Sequence, residues 1–274
     1  MKKPILLVAM GLLLTLPMYG GTILYNNLTP NDSIGFSSSV QAGSKSTEAA
    51  DDFLLTQNSK ITGASFIGIM PAGVAPLDVT IEIYRVFPQD SDAVRIAAVP
   101  TRTNSPSDIE FTDRSAGAGE LSFSTTQLNP SFTTLNSVLE GGLHVNTGGN
   151  GAITGQEVQF DVTFSTPINL ASGHYFFVPQ IDLGGADFLW LSAPRPISGA
   201  GTTPFTPDLQ VWMRDGFLDP DWLRAGTDIV GGNPAPTYNA SFELFGTVPE
   251  PGSLVLFLSG ALGLLSTGRI RRNR

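Results

Sequence analysis

The fold class this sequence predicts is all-β, an antiparallel β-sandwich of which a jelly roll is one form, and three observations carry it. Short runs alternate apolar and polar residues and are rich in β-branched and aromatic types. The segments between them are full of Gly, Pro, Asn, Asp and Ser, which break strands and favour turns. No sustained helical period appears between residues 22 and 247.

The chain opens with Met1-Lys2-Lys3 and an apolar core from Ile5 to Leu16, the layout of a secretory signal peptide, so residues 1–21 are assigned to a signal helix. Gly20 or Gly21 suits the last position before cleavage, and no cysteine follows to carry a lipid. The alternating runs come next: Asp52-Phe53-Leu54-Leu55-Thr56, Ile61 to Ile69, Val79 to Phe87, Val158 to Phe164 and Ser241 to Phe245. Each is expected to show one face to a core and one to water. The punctuation between them includes Pro71-Ala72-Gly73, Asn104 to Asp108 and Gly148-Gly149-Asn150-Gly151. Residues 174–192 differ, being apolar on both sides, as strands in the middle of a sandwich are. Residues 194–236 form a long Pro- and Gly-rich passage that carries Trp212 and Trp222 among several aspartates. Flexible linkers lack such bulky apolar groups, so this passage is expected to be ordered and packed over one end of the body.

The last 27 residues have three parts in order: Val248-Pro249-Glu250-Pro251, an uncharged run from Gly252 to Gly268, and the basic cluster Arg269, Arg271, Arg272 and Arg274. As a helix the 17 uncharged residues would span roughly 25 Å, the short end of what crosses a bilayer, and the arginines would hold the tail on the cytoplasmic side. This arrangement resembles the PEP-CTERM sorting signal. The resemblance covers about a tenth of the chain and implies that an exosortase, a membrane cysteine protease of Gram-negative bacteria that make exopolysaccharide, recognises Pro249, Glu250 and Pro251 and cuts there during export. The body also resembles other exported proteins with such tails in its Asp-Asp-Phe, His-Tyr-Phe-Phe-Val-Pro-Gln and Asp-Trp-Leu-Arg stretches, which implies no activity. Three segments follow: signal peptide 1–21, exported body 22–247 and sorting tail with transmembrane helix 248–274.

With both ends removed, nine basic and 23 acidic residues remain, a net charge of about −14. An acidic surface with only Lys45 and Lys60 is a poor partner for nucleic acid or anionic lipid. The absence of cysteine removes disulfides, thiolate metal sites and a cysteine nucleophile, so stability must come from a core.

A search for chemistry returns little. No Gly-x-Ser-x-Gly elbow is present, and Gly63-Ala64-Ser65 reads as strand interior. His144 and His174 are the two histidines, and His174 is expected to be structural, with its ring nitrogens on backbone partners. A glycosidase would need two facing carboxylates; Glu82, Asp161 and Glu243 sit on alternating strands, where a solvated face is the expectation. Trp212 and Trp222 could stack on sugar rings but more commonly would pin the long passage by burial. No cofactor is expected. Calcium is the one ligand the composition invites, at Asp90-Ser91-Asp92 or Asp219-Pro220-Asp221, although neither continues as a calcium loop and turns with exposed charges are the simpler reading. Gly148 to Gly151 lacks the lysine and helix of a phosphate loop.

The expectation is therefore an exported, non-enzymatic β-sandwich, anchored by its tail in the inner membrane before processing and destined for the cell envelope or an exopolysaccharide matrix. The alternatives are a carbohydrate-binding module, which would show an exposed coplanar pair from Trp190, Trp212 and Trp222, and a glycoside hydrolase or lyase, which would show an open cleft with paired acids, one of raised pKa.

Overall fold

A computed structural model of the protein describes residues 21–40, 46–87, 96–139, 143–194 and 209–248. The signal segment up to residue 20, the sorting motif, the apolar tail and its arginines lie outside the described residues. Among the described residues no helix is long and apolar enough to cross a membrane.

Among the described residues sixteen strands make up nearly all of the regular structure. They are β1 (Thr22–Asn26), β2 (Gly35–Ser37), β3 (Ser39–Val40), β4 (Thr47–Leu55), β5 (Ser59–Met70), β6 (Asp78–Arg85), β7 (Thr112–Ser115), β8 (Leu121–Thr134), β9 (Ser137–Val138), β10 (Ile153–Leu170), β11 (Gly173–Asp182), β12 (Leu189–Ala193), β13 (Trp212–Asp215), β14 (Leu223–Arg224), β15 (Asn239–Ala240) and β16 (Phe242–Thr247). Nine of them form one sheet and seven the other. In the larger sheet β5 is central: one of its edges pairs with β10, and the other is shared by β16 and then β12. In the smaller sheet the order is β14-β13-β4-β11-β6-β7. Pairing is antiparallel except between β3 and β11 and between β2 and β9.

The two sheets are joined by one apolar core, which draws Phe66, Phe160 and Phe242 from the larger sheet and Phe53, Ile81 and Phe177 from the smaller. Phe177 stacks on Phe242 with ring centroids 4.9 Å apart, and Phe66 stacks on Phe160 at 5.0 Å. Burying each such ring is worth about 1.5–3 kcal/mol, so the aromatic layer is a principal source of stability in a chain without disulfides. Gly68 is required by this packing, since a side chain there would overlap the Phe188 ring and approach the Leu189 carbonyl at 2.7 Å.

The doubly apolar stretch at 174–192 supplies an interior strand to each sheet: β11 lies between β4 and β6, and β12 between β5 and β2. The passage expected to pack does so over its described part, residues 209–236, while 195–208 lie outside the described residues. It contributes β13, β14 and one six-residue π-helical turn, Ala225–Val230, the single departure from an all-β pattern. Gly231, at φ 72°, ends that turn and donates its N–H to Gly226 O at 2.9 Å, a conformation glycine adopts without Cβ strain.

Candidate functional site

The outer face of the smaller sheet is largely covered. Residues 96–109 and 216–222 pack against it, with Trp222 Nε1 donating to Ser107 O and Arg214 Nη1 to Asp108 O, and a second apolar cluster forms there from Ala50, Tyr84, Phe176, Val178, Leu209, Trp212 and Trp222. The polar side chains that this sheet turns outward are consequently buried or half-buried. Alternation along β4 and β6 sends Glu48, Glu82 and Tyr84 to that face, and β13 crosses beside β4 with Arg214 paired to Glu48.

These four side chains form one network. Arg214 Nε donates to Glu48 Oε2 at 2.8 Å, and Arg214 Nη2 donates to Tyr84 Oη at 2.8 Å. The Tyr84 hydroxyl lies 2.8 Å from Glu82 Oε2 and 3.2 Å from Glu48 Oε2, and can donate to one of them at a time. Arg214 Nη1 also donates to the Asp108 carbonyl at 3.1 Å and pairs with Asp219 at 3.2 Å. Its guanidinium lies 4.3 Å from the centre of the Trp222 ring.

Burial governs the charges here. It pushes the Glu82 carboxyl up to about 8, with the Glu48 charge adding to the effect. Burial also raises Glu48, against the opposing pull of Arg214, and raises the Tyr84 phenol, with Glu48 reinforcing the effect. Burial works against the Arg214 charge, but Glu48, Tyr84 and Asp219 together outweigh it and hold the guanidinium cationic. One enclosed cation faces two carboxyls, so the stable arrangement has Glu48 ionised against Arg214 and Glu82 protonated. With Glu82 neutral, the Tyr84 proton can serve Glu48, which faces Arg214 on the inner side while the more exposed Asp219 pairs with it from outside.

The two bridged carboxyl oxygens lie within about 6 Å of each other, in the range of paired catalytic carboxylates. The phenol of Tyr84 occupies the gap between them, however, so no substrate bond can sit there. A hollow of about 380 Å³ reaches Glu48 and Arg214 from outside, rimmed by Asp215, Phe217 and Asp219, and Glu82 is not among its walls.

A second polar group crosses the outer face of the larger sheet. Ser65 is in register with Asp161 on one side and Glu243 on the other. Ser65 Oγ donates to Asp161 Oδ1 at 2.6 Å, as does Gln159 Nε2 at 2.7 Å. Glu243 is buried, and burial together with the nearby Asp161 charge raises its pKa. Among the described residues no three histidine, aspartate or glutamate side chains converge as a metal site would require.

Several expectations need correction. Glu82, Asp161 and Glu243 were expected on a wet face, but Glu243 is buried, and Glu82 and Asp161 are half-buried and hydrogen-bonded to Tyr84 and Ser65. His174 is structural as expected, and its Nε2 finds a carboxylate, 2.5 Å from Asp52 Oδ2. Asp219-Pro220-Asp221 is not a pair of exposed charges: Asp221 is fully buried and pairs with Arg102 Nε at 2.7 Å. Phe217, expected in the packed set, is 68% exposed. Trp212 and Trp222 are 2% and 1% exposed and donate their indole N–H groups to Leu209 O and Ser107 O, so neither offers a ring face to a sugar. Trp190 is likewise buried, which leaves no exposed tryptophan pair. Pro249, Glu250, Pro251, Asp90-Ser91-Asp92 and the terminal arginines lie outside the described residues.

Glu48, Tyr84 and Arg214 were not singled out in the sequence. One signal pointed to them: Arg214 ends the run Val211-Trp212-Met213, and a cation in so apolar a strand must meet a carboxylate. No protein-family model, no curated protein and no solved structure matches the chain.

Proposed function

We propose that the chain is an exported protein of the cell envelope or extracellular matrix, sorted by its C-terminal tail and cut at Pro249-Glu250-Pro251 by an exosortase, and that its body is a non-catalytic β-sandwich with a structural or binding role. Support for the sorting part comes from the three-part tail. The observation that favours a non-catalytic body is the closure of the Glu48–Glu82 pair, which is bridged by Tyr84 and clamped by Arg214. A catalytic pair keeps a reacting bond between its carboxyls, whereas here every polar group is turned to its neighbours.

Replacing Glu250 with Ala tests the sorting role. The expected result is an unprocessed form retained in the membrane fraction, with the body folded as before; unchanged processing would remove the main support for the assignment.

A binding role has one specific feature in its favour. Phe217 stands 68% exposed beside the hollow over Glu48 and Arg214, next to the polar groups Asp215 and Asp219. An aromatic ring flanked by carboxylates is the usual composition of a sugar-binding surface. In this second reading Phe217 takes the part expected of the tryptophans.

A further inference from the structure

Every sheet edge carries unpaired backbone N–H and C=O groups that can template pairing with another chain, and folds normally guard them with shortness, charge, proline or a bulge. In this protein most edges are guarded. The strands β3, β9, β14 and β15 have two residues each, and β7 has four, including Asp113 and Arg114. At the far side of the larger sheet β1 is five residues long. The exception is β8, which runs for 14 residues, pairs only with β10 among the described residues and carries no charge from Leu121 to Thr134.

Its two halves differ. Around Leu128, Asn129 and Pro130 the register with β10 shifts twice, and the proline offers no N–H, so this half is blunted. From Leu121 to Gln127 the register is unbroken against Phe164 to Val158. This segment, Leu-Ser-Phe-Ser-Thr-Thr-Gln, is rich in β-forming residues and free of charge and proline, and it extends about 24 Å. Ser122, Ser124, Thr125, Thr126 and Gln127 are all exposed, so neither face of this stretch is covered along most of its length.

We propose that Leu121–Gln127 is the edge through which two copies of this chain associate, pairing antiparallel about a two-fold axis to continue the larger sheet across both molecules. A second copy is the occupant the chemistry favours. The chain is acidic, with formal net charge −9, so identical molecules can approach closely only where the surface is uncharged, and this edge is such a place. A partner of another kind that used charge for recognition would find none here. An antiparallel strand is also its own complement, with Ser and Thr side chains facing Ser and Thr across the axis. The contact closes on itself, so it gives a dimer rather than a fibre.

The absence of native cysteine makes this testable by single cysteines introduced at each position from Ser122 to Gln127 in the full chain, held in detergent with micelles in excess over protein. A two-fold axis normal to a continuous sheet sets one residue opposite its own copy, and only opposed side chains reach disulfide distance. Ala72→Cys, exposed in the loop between β5 and β6, reports contacts made through the tail or by collision. The expected result is one β8 position that oxidises to a dimer at several times the Ala72→Cys yield. Adding Glu at Ser124 or Thr126, whichever is not the cysteine, should then lower that yield fivefold or more. Yields along β8 no higher than at Ala72→Cys, or a yield unmoved by the added charge, would overturn the proposal.

Discussion

Glu82→Gln tests the buried acid network through the pH dependence of stability. In the folded protein the Glu82 carboxyl is pushed up to about 8 from an ordinary value of 4.5. Between those values the folded state holds a proton that the unfolded chain has released. Stability therefore falls as pH rises through this window: full below about 4.5, it is largely lost above about 8. Each tenfold is worth about 1.4 kcal/mol, so the upper bound is ~5 kcal/mol, and sharing of the proton with Glu48 reduces the expected loss between pH 5 and 8 to ~2–4 kcal/mol. Gln is isosteric, remains neutral, and its amide N–H can donate to Tyr84 Oη as the protonated Glu82 does. Urea unfolding followed by the emission of the buried tryptophans gives the profile. Wild type should lose stability from pH 5 to 8 while Glu82→Gln stays nearly flat and is the more stable of the two at pH 8. A flat wild-type profile, or a variant as steep as wild type, would refute the protonated Glu82.

Two further predictions concern the same face. Arg214→Met removes the cation but leaves Glu48 enclosed, and should cost about 3–5 kcal/mol at neutral pH by chemical denaturation, with part of the loss recovered when Glu48→Gln is added. Trp222→Ala should cost about 3–5 kcal/mol and lower Tm by several degrees, whereas Phe217→Ala should leave Tm nearly unchanged. If the hollow binds sugar, Phe217→Ala loses retention on the host's exopolysaccharide while Trp222→Ala, where folded, keeps it.

The strands were legible because period-2 alternation depends only on neighbours in sequence: the stretches containing Phe53, Phe66, Ile81, Phe160 and Phe242 all lie in strands with these side chains in the core. The doubly apolar Gly173–Asp182 and Leu189–Ala193 were legible as central strands for the same reason. Alternation shows that two faces differ, but it does not show that the polar one is wet. Glu82 alternates correctly and is nevertheless half-buried and bonded to Tyr84, because residues more than 100 positions downstream, around Trp222, pack on Tyr84 beside it. The Glu48–Tyr84–Arg214 network was hidden because its members lie 36 and 166 positions from Glu48 and meet only through the order β13-β4-β11-β6. In the same way, a bulge in β5 at Thr62, where Gly63 and Ile61 oppose the successive residues Phe245 and Gly246 of β16, brings both Ile61 and Ala64 into the core, which strict alternation does not allow.

The central claim is that the protein is exported and loses both ends, and the intact mass of the material recovered outside the inner membrane tests it most directly. The account predicts a species that lacks the residues before about Gly21 and those beyond the Pro249-Glu250-Pro251 site. A mass that still includes Phe257 to Arg274 would make the tail a permanent anchor and would contradict the sorting assignment.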